Sequence, residues 1–267
     1  MAQFNLNAQE SLYYEYVPAR EGGKTAVFVN ALTGDAGMWQ GTAAPALHEK
    51  GHGTLCYNFR GQAQSTCPTE TELDPDGIVS DLNALMDHLG IEGAVLVGLS
   101  IGGLFAAQAH LASPRSSGLV LINTLRKPTK RLEWINKAMI ELAQLGGGRL
   151  LMTANAPQIV NPDFLPNMWG DIFAGPYEPM APSDGLFRLM KGSLKTDWDF
   201  PYEELRVPVL LMTGLHDRVF RIEADVAELT TRIPETQSMI YSDAGHMIPL
   251  ERPDRFAADL VEFVGNL

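Results

Sequence analysis

Short apolar, β-branched runs that alternate with longer stretches of helical periodicity constrain this chain more than any other feature. The runs fall at residues 26–30, 54–58, 94–99, 118–122, 207–213 and 237–242. Several are apolar on both faces, so they need cover from each side, which flanking helices supply. Between them Ile78, Val79, Leu82, Leu85, Met86 and Leu89 recur at helical spacing, with Gly90 placed as a C-terminal stop. Residues 101–113, ended before Pro114, and residues 223–233 and 253–265 supply further helices. Strand and helix units in alternation predict a mostly parallel sheet with helices on both faces. Residues 4–7 and 12–17 predict an antiparallel pair at its edge, for eight strands in all. Right-handed crossovers then gather the strand C-termini, and any site, along one edge.

The alternation stops between Thr124 and Leu205. That stretch holds Trp134, Trp169 and Trp198, several Met, many Pro and Gly, and no strand-like run. Residues 1–123 and 206–267 are therefore expected to form an α/β core, with 124–205 inserted into it as a helical cap. The chain's 267 residues exceed the roughly 150 of one domain, and the cap accounts for the excess. Gly146, Gly147 and Gly148 have neither the preceding strand nor the spacing of a phosphate loop, and are read as a flexible joint within the cap.

Charge removes two partner classes. The count of 20 basic against 32 acidic residues, net −12, repels phosphate backbones and anionic lipid, so neither nucleic acid nor a membrane is expected as a partner. No apolar stretch reaches the length of a membrane span, and residues 1–10 lack a basic start followed by an apolar run. A cytoplasmic monomer or homodimer is expected. Cys56 and Cys67 are too few to be read as a disulfide framework.

Gly98-Leu99-Ser100-Ile101-Gly102 closes one apolar run and opens a helix. A sharp strand-to-helix turn forces its middle residue into strained angles and projects the hydroxyl from the sheet edge. The Ile101 amide then lies at a helix N-terminus, where partial positive charge can hold an oxyanion. A serine hydroxyl needs a base, and the base needs a carboxylate to hold its tautomer. Asp217 follows the run at 207–213, and His246 follows the run at 237–242. The rival acid position, after 118–122, holds Asn123, which cannot carry charge.

The order Ser100, Asp217, His246, each just past a strand, is similar to that of the α/β-hydrolase superfamily, and the chain resembles that superfamily over nearly its whole length. Tyr57-Asn58-Phe59-Arg60-Gly61-Gln62-Ala63-Gln64-Ser65 resembles its D-x-R-G-x-G-x-S loop, with Asn58 at the usual Asp. Leu89-Gly90-Ile91-Glu92, and Gly245-His246 followed by Glu251-Arg252-Pro253, resemble small bacterial members. Asn30-Ala31-Leu32 and Met38-Trp39 resemble the 3-oxoadipate enol-lactonase and carboxylesterase branch, with Asn30-Ala31 where many members have His-Gly. The resemblance implies a second oxyanion amide at Leu32. It also implies a serine hydrolase for a small, fairly apolar carboxylic ester or lactone, without cofactor or metal.

Trp39, Trp134, Met168 and Trp169 are the expected substrate-binding residues, with Met139, Met152 and Met190 as further candidates for an apolar acyl pocket. The remaining histidines, His48, His52, His88, His110 and His216, lack ligand spacing. Four other readings stay open on the same residues. Carbon–carbon bond hydrolysis would draw on cations such as Lys127, Lys130, Arg131, Lys137 and Arg149. Acyl transfer is suggested by a six-residue resemblance of Asn30-Ala31-Leu32-Thr33-Gly34-Asp35 to homoserine acetyltransferases. A cofactor-free oxygenase or perhydrolase, and a ligand receptor that keeps the triad, complete the set.

Overall fold

The computed structural model describes residues 2–267. Eight strands form one sheet: β1 (Ala2–Asn5), β2 (Ser11–Val17), β3 (Thr25–Val29), β4 (Gly53–Tyr57), β5 (Ala94–Leu99), β6 (Ser116–Ile122), β7 (Val209–Gly214) and β8 (Thr236–Tyr241). Their spatial order is β1-β2-β4-β3-β5-β6-β7-β8. β1 and β2 pair antiparallel, as does β2 with β4, and every pair from β4 onward is parallel. The α/β class, the eight strands and the antiparallel edge agree with the sequence pattern. β3 and β5 are buried at every position because helices cover both faces.

The helices are α1 (Gly37–Gln40), α2 (Ala43–Glu49), α3 (Pro75–Leu89), α4 (Ile101–Ala112), α5 (Lys130–Ile159), α6 (Leu165–Phe173), α7 (Gly185–Gly192), α8 (Glu223–Arg232), α9 (Ile248–Glu251) and α10 (Pro253–Gly265). α3 starts where Asp74 caps the Gly77 amide and ends at Gly90 in the left-handed conformation. One core cluster includes Leu82, Leu96, Leu104 and Leu121, and a second includes Phe28, Trp39, Val97 and Phe256. Cys56 and Cys67 are both free thiols.

Between β6 and β7 every regular element is helical. α5 is broken at Gly146 and Gly147, whose backbone angles are not helical. Gly147 lies against the Glu178 carbonyl so closely that a Cβ there would stand 1.9 Å from its oxygen. The flexible joint expected from the glycines is instead a bend packed against the Glu178 backbone. At the far end of the segment Trp198, Phe200, Tyr202 and Leu205 are buried in the first core cluster. α7 meets the core on bare backbone: a Cβ on Gly192 would fall 1.6 Å from the Leu73 carbonyl oxygen, and one on Gly185 2.4 Å from that of Gly61. α6, by contrast, has no buried residue.

Candidate active site

The C-terminal ends of β5, β6, β7 and β8 converge on one cavity of about 130 Å³. Ser100 stands between β5 and α4 with φ 61° and ψ −126°, a conformation that costs a non-glycine residue about 1–3 kcal/mol. Neighbouring backbone leaves no alternative. A Cβ on Gly98 would meet the Gly102 carbonyl oxygen at 2.4 Å, and one on Gly102 would meet that of Asn30 at 2.3 Å.

His246 and Asp217 are brought together by the loops after β8 and β7. Nδ1 of His246 lies 2.6 Å from Oδ2 of Asp217, and both side chains are buried. The other carboxylate oxygen accepts from the backbone amides of Val219 at 3.2 Å and Phe220 at 2.9 Å. Burial pushes the Asp217 carboxyl upward, but His246, the Phe220 amide and the charge of Arg126 outweigh it, so its pKa lies below the ordinary value. The carboxylate therefore stays charged and fixes the imidazole tautomer.

Two further residues hold the histidine loop. Asn123, at φ 49°, donates from Nδ2 to the carbonyls of Gly245 and His246, each at 3.0 Å, and accepts from the Gly214 amide at 2.9 Å. Glu251 accepts from the amides of Gly245 at 2.9 Å, Asn161 at 2.7 Å and Met247 at 3.0 Å. The His246 amide itself donates to the Ile159 carbonyl at 2.5 Å, tying this loop to the end of α5.

Leu32 and Ile101 both line the cavity beside Ser100. Among the described residues neither amide donates to another protein group, so both N–H groups are available as donors. The Leu32 loop is fixed from beneath. Gln62 Nε2 donates to the carbonyls of Ala31 at 3.0 Å and Leu32 at 3.1 Å, while its Oε1 accepts from the Phe59 amide at 2.9 Å. Asn30 donates to the Tyr57 carbonyl at 2.7 Å, and Asn58 Oδ1 accepts from the Ala36 amide at 2.7 Å. The two asparagines that depart from the resembled pattern are thus buried loop supports.

The four expected substrate-binding side chains lie elsewhere. Trp39 is fully buried beneath the loop, stacked on Phe28 at 4.7 Å, with its indole N–H bonded to Asn30. Trp134 is 79% and Trp169 64% exposed, the latter against Phe173. Met168 packs with Ile159, Val160 and Val219. An aromatic or methionine at helical spacing marks a face without saying what that face meets. Met139, Met152 and Met190 do line the cavity, with Leu151 and Trp198.

Arg126, three residues beyond Asn123, is the cavity's unforeseen member. Its Nη2 donates to Ser100 Oγ at 2.7 Å and to the Asn123 carbonyl at 3.2 Å. Among the described residues no hydrogen bond joins Ser100 Oγ to His246. The guanidinium is buried, with its carbon 4.2 Å from the centre of the Phe220 ring and 5.0 Å from that of Trp198. The Phe220 ring in turn lies 4.8 Å from the His246 ring. Burial lowers the Arg126 pKa to about 10, with Asp217 and Tyr202 acting in the opposite direction. It remains a cation at neutral pH.

Comparison with known proteins gives a consistent picture. The family described as alpha/beta hydrolase fold matches residues 25–253. The chain is 25% identical over 237 residues to 3-oxoadipate enol-lactonase 2 of Acinetobacter baylyi, covering 86% of this chain and 84% of that one. It is 24% identical over 254 residues to a Mycobacterium tuberculosis protein described as a candidate non-heme bromoperoxidase, covering 92% and 95%. An alpha/beta hydrolase enzyme from a Medee basin deep-sea metagenome library superposes with a TM-score of 0.85 at 23% identity, covering 100% and 98% of the two chains.

Proposed function

Since the chain belongs to the alpha/beta hydrolase fold family, we propose that it is a serine hydrolase cleaving a small, fairly apolar carboxylic ester or lactone. The observation that carries this reading is that Ser100, at its strained turn, and His246, which is paired with Asp217, line one cavity. The enol-lactonase relative is consistent with it.

In the proposed mechanism Ser100 Oγ turns from Arg126 toward His246, whose Nε2 takes the hydroxyl proton as Oγ attacks the carbonyl carbon. The new Oγ–C bond leaves negative charge on the carbonyl oxygen, which the Leu32 and Ile101 amides receive. Asp217 stabilises the imidazolium through the Nδ1 hydrogen. The C–O bond of the leaving alcohol then breaks, and His246 returns its proton to that oxygen. Water, deprotonated by His246, attacks the acyl-enzyme, and the carboxylic acid departs as Ser100 regains its proton. Residues 124–205 act as the cap, and their inward methionines shape the acyl pocket.

The test combines covalent labelling with turnover. A fluorophosphonate should modify Ser100 and abolish hydrolysis of short p-nitrophenyl esters or lactones, and Ser100→Ala should be inactive and unlabelled. Full esterase activity in Ser100→Ala would overturn the reading.

A further inference from the structure

The cavity is lined mainly by apolar side chains, with Thr33, Asn136, Asn155 and Ser193 as neutral polar members and Arg126 as its one arginine or lysine. Arg126 is 6% exposed, yet among the described residues no carboxylate pairs with it. Asp217, whose charge it feels, is already engaged by His246 and two backbone amides. Its Nε is buried without an acceptor, and Nη2 is satisfied only by a serine hydroxyl and one backbone carbonyl. An unpaired buried cation is costly to maintain, and a guanidinium presents a planar fork matched to a carboxylate.

We propose that Arg126 is a substrate anchor, and that the preferred substrate carries a carboxylate on its acyl part, one or two carbons from the scissile carbonyl. The inference rests on the serine-hydrolase reading and narrows its substrate class. Position sets the spacing: Nη2 is 2.7 Å from Oγ, and a carbonyl under attack sits about 3–3.5 Å from the same oxygen. An anion held by Arg126 is therefore next to the reacting centre. The short reach between Arg126 Nη2 and Ser100 Oγ calls for a short acyl chain between the two groups. The methionines and Trp198 cover that chain while the guanidinium takes its charged end.

The same contact gives the carboxylate a second effect. Oγ accepts from Arg126, which draws electron density from the nucleophile, while among the described residues no hydrogen bond joins Oγ to His246. A carboxylate that takes the Nη2 hydrogen releases Oγ to the base. A neutral ester of the same shape leaves that contact in place. Discrimination should therefore reach kcat as well as KM.

The experiment compares monomethyl malonate with methyl 3-methylbutanoate, its neutral isostere, by acid release in a pH-stat. Wild-type protein should favour the malonate hemiester at least tenfold in kcat/KM. Arg126→Met should cut hemiester kcat/KM a hundredfold or more and lower the hemiester-to-neutral-ester ratio at least tenfold, with Arg126→Lys intermediate. Malonate itself, followed by thermal shift, should bind wild type and Ser100→Ala but not Arg126→Met. That readout needs no hydrolysis, so loss of the serine-hydrolase reading and loss of the anchor are separable. Wild-type preference for the neutral ester, equal loss on both esters in Arg126→Met, or malonate binding indifferent to residue 126 would overturn the proposal.

Discussion

The indole N–H of Trp39 donates a 2.7 Å hydrogen bond to Oδ1 of Asn30, directly beneath the loop that presents the Leu32 amide. A large core aromatic and a small buried amide thus hold in place a group that neither touches. Asn30→Ala leaves the Trp39 donor and the Tyr57 carbonyl without their partner, at a cost of about 1–3 kcal/mol. Because the loop also loses its register, kcat on a short ester should fall at least tenfold with little change in KM. Urea unfolding and steady-state kinetics on the same preparation measure the two effects.

Strain at Ser100 is separable from its chemistry. Ser100→Gly and Ser100→Ala both remove the hydroxyl and should both be inactive. Only glycine is at ease at φ 61°, so the glycine variant should be more stable than the alanine variant by about 1–2 kcal/mol. Thermal or urea unfolding of the pair checks this, and equal stabilities would show the turn to be unstrained.

Arg126 should weaken the empty fold. Its folded pKa, lowered by burial to about 10, lies beneath the ordinary 12.5, so below pH 10 the native state carries a charge that water would hold better. The shift corresponds to about 3 kcal/mol, partly offset by the bonds to Ser100 and Asn123. Arg126→Met should therefore gain about 1–3 kcal/mol of stability, constant from pH 6 to 9. The wild-type disadvantage shrinks only as pH rises through 10 toward 12.5. Chemical denaturation across that range tests both the sign and the window.

The Glu251 carboxylate accepts from the amides of Gly245, Asn161 and Met247 with its two oxygens. Glu251→Gln replaces one acceptor with a donor and sets it against an N–H. The expected cost is about 1–3 kcal/mol, with the His246 loop displaced and kcat reduced. Labelling of Ser100 by fluorophosphonate should slow in parallel, because both depend on the same imidazole.

Met152 is half-buried and lines the cavity. Met152→Ala should move the preferred acyl chain of p-nitrophenyl esters upward by two or three carbons, at a modest cost in stability. A series from acetate to octanoate shows the shift, and an unchanged optimum would place the acyl chain on another wall.

The sheet was legible because period-two and fully apolar runs are dictated by the strands themselves. Ser100, Asp217 and His246 were nameable from sequence because each follows such a run. The residues that position them were not, since Gln62, Asn123 and Glu251 work by hydrogen bonds to backbone distant in sequence. Arg126 had a usable signal: it lies only four residues beyond β6, on the edge where the other site residues emerge. Trp39, Trp134, Met168 and Trp169 misled because bulk and apolarity suit a core, a solvent face and a pocket equally.

The bare-backbone seam under α7 makes the helical segment between β6 and β7 asymmetric. Where Gly185 and Gly192 press on Gly61 and Leu73, separation would expose close-packed main chain on both sides at once, so α7 moves only with the core. α6 has no such attachment, because none of its residues is buried. α6 should therefore open locally at lower free energy than α7. Amide exchange tests the difference: α7 protons should exchange at the rate of whole-molecule unfolding and those of α6 faster, and equal protection of the two would contradict it.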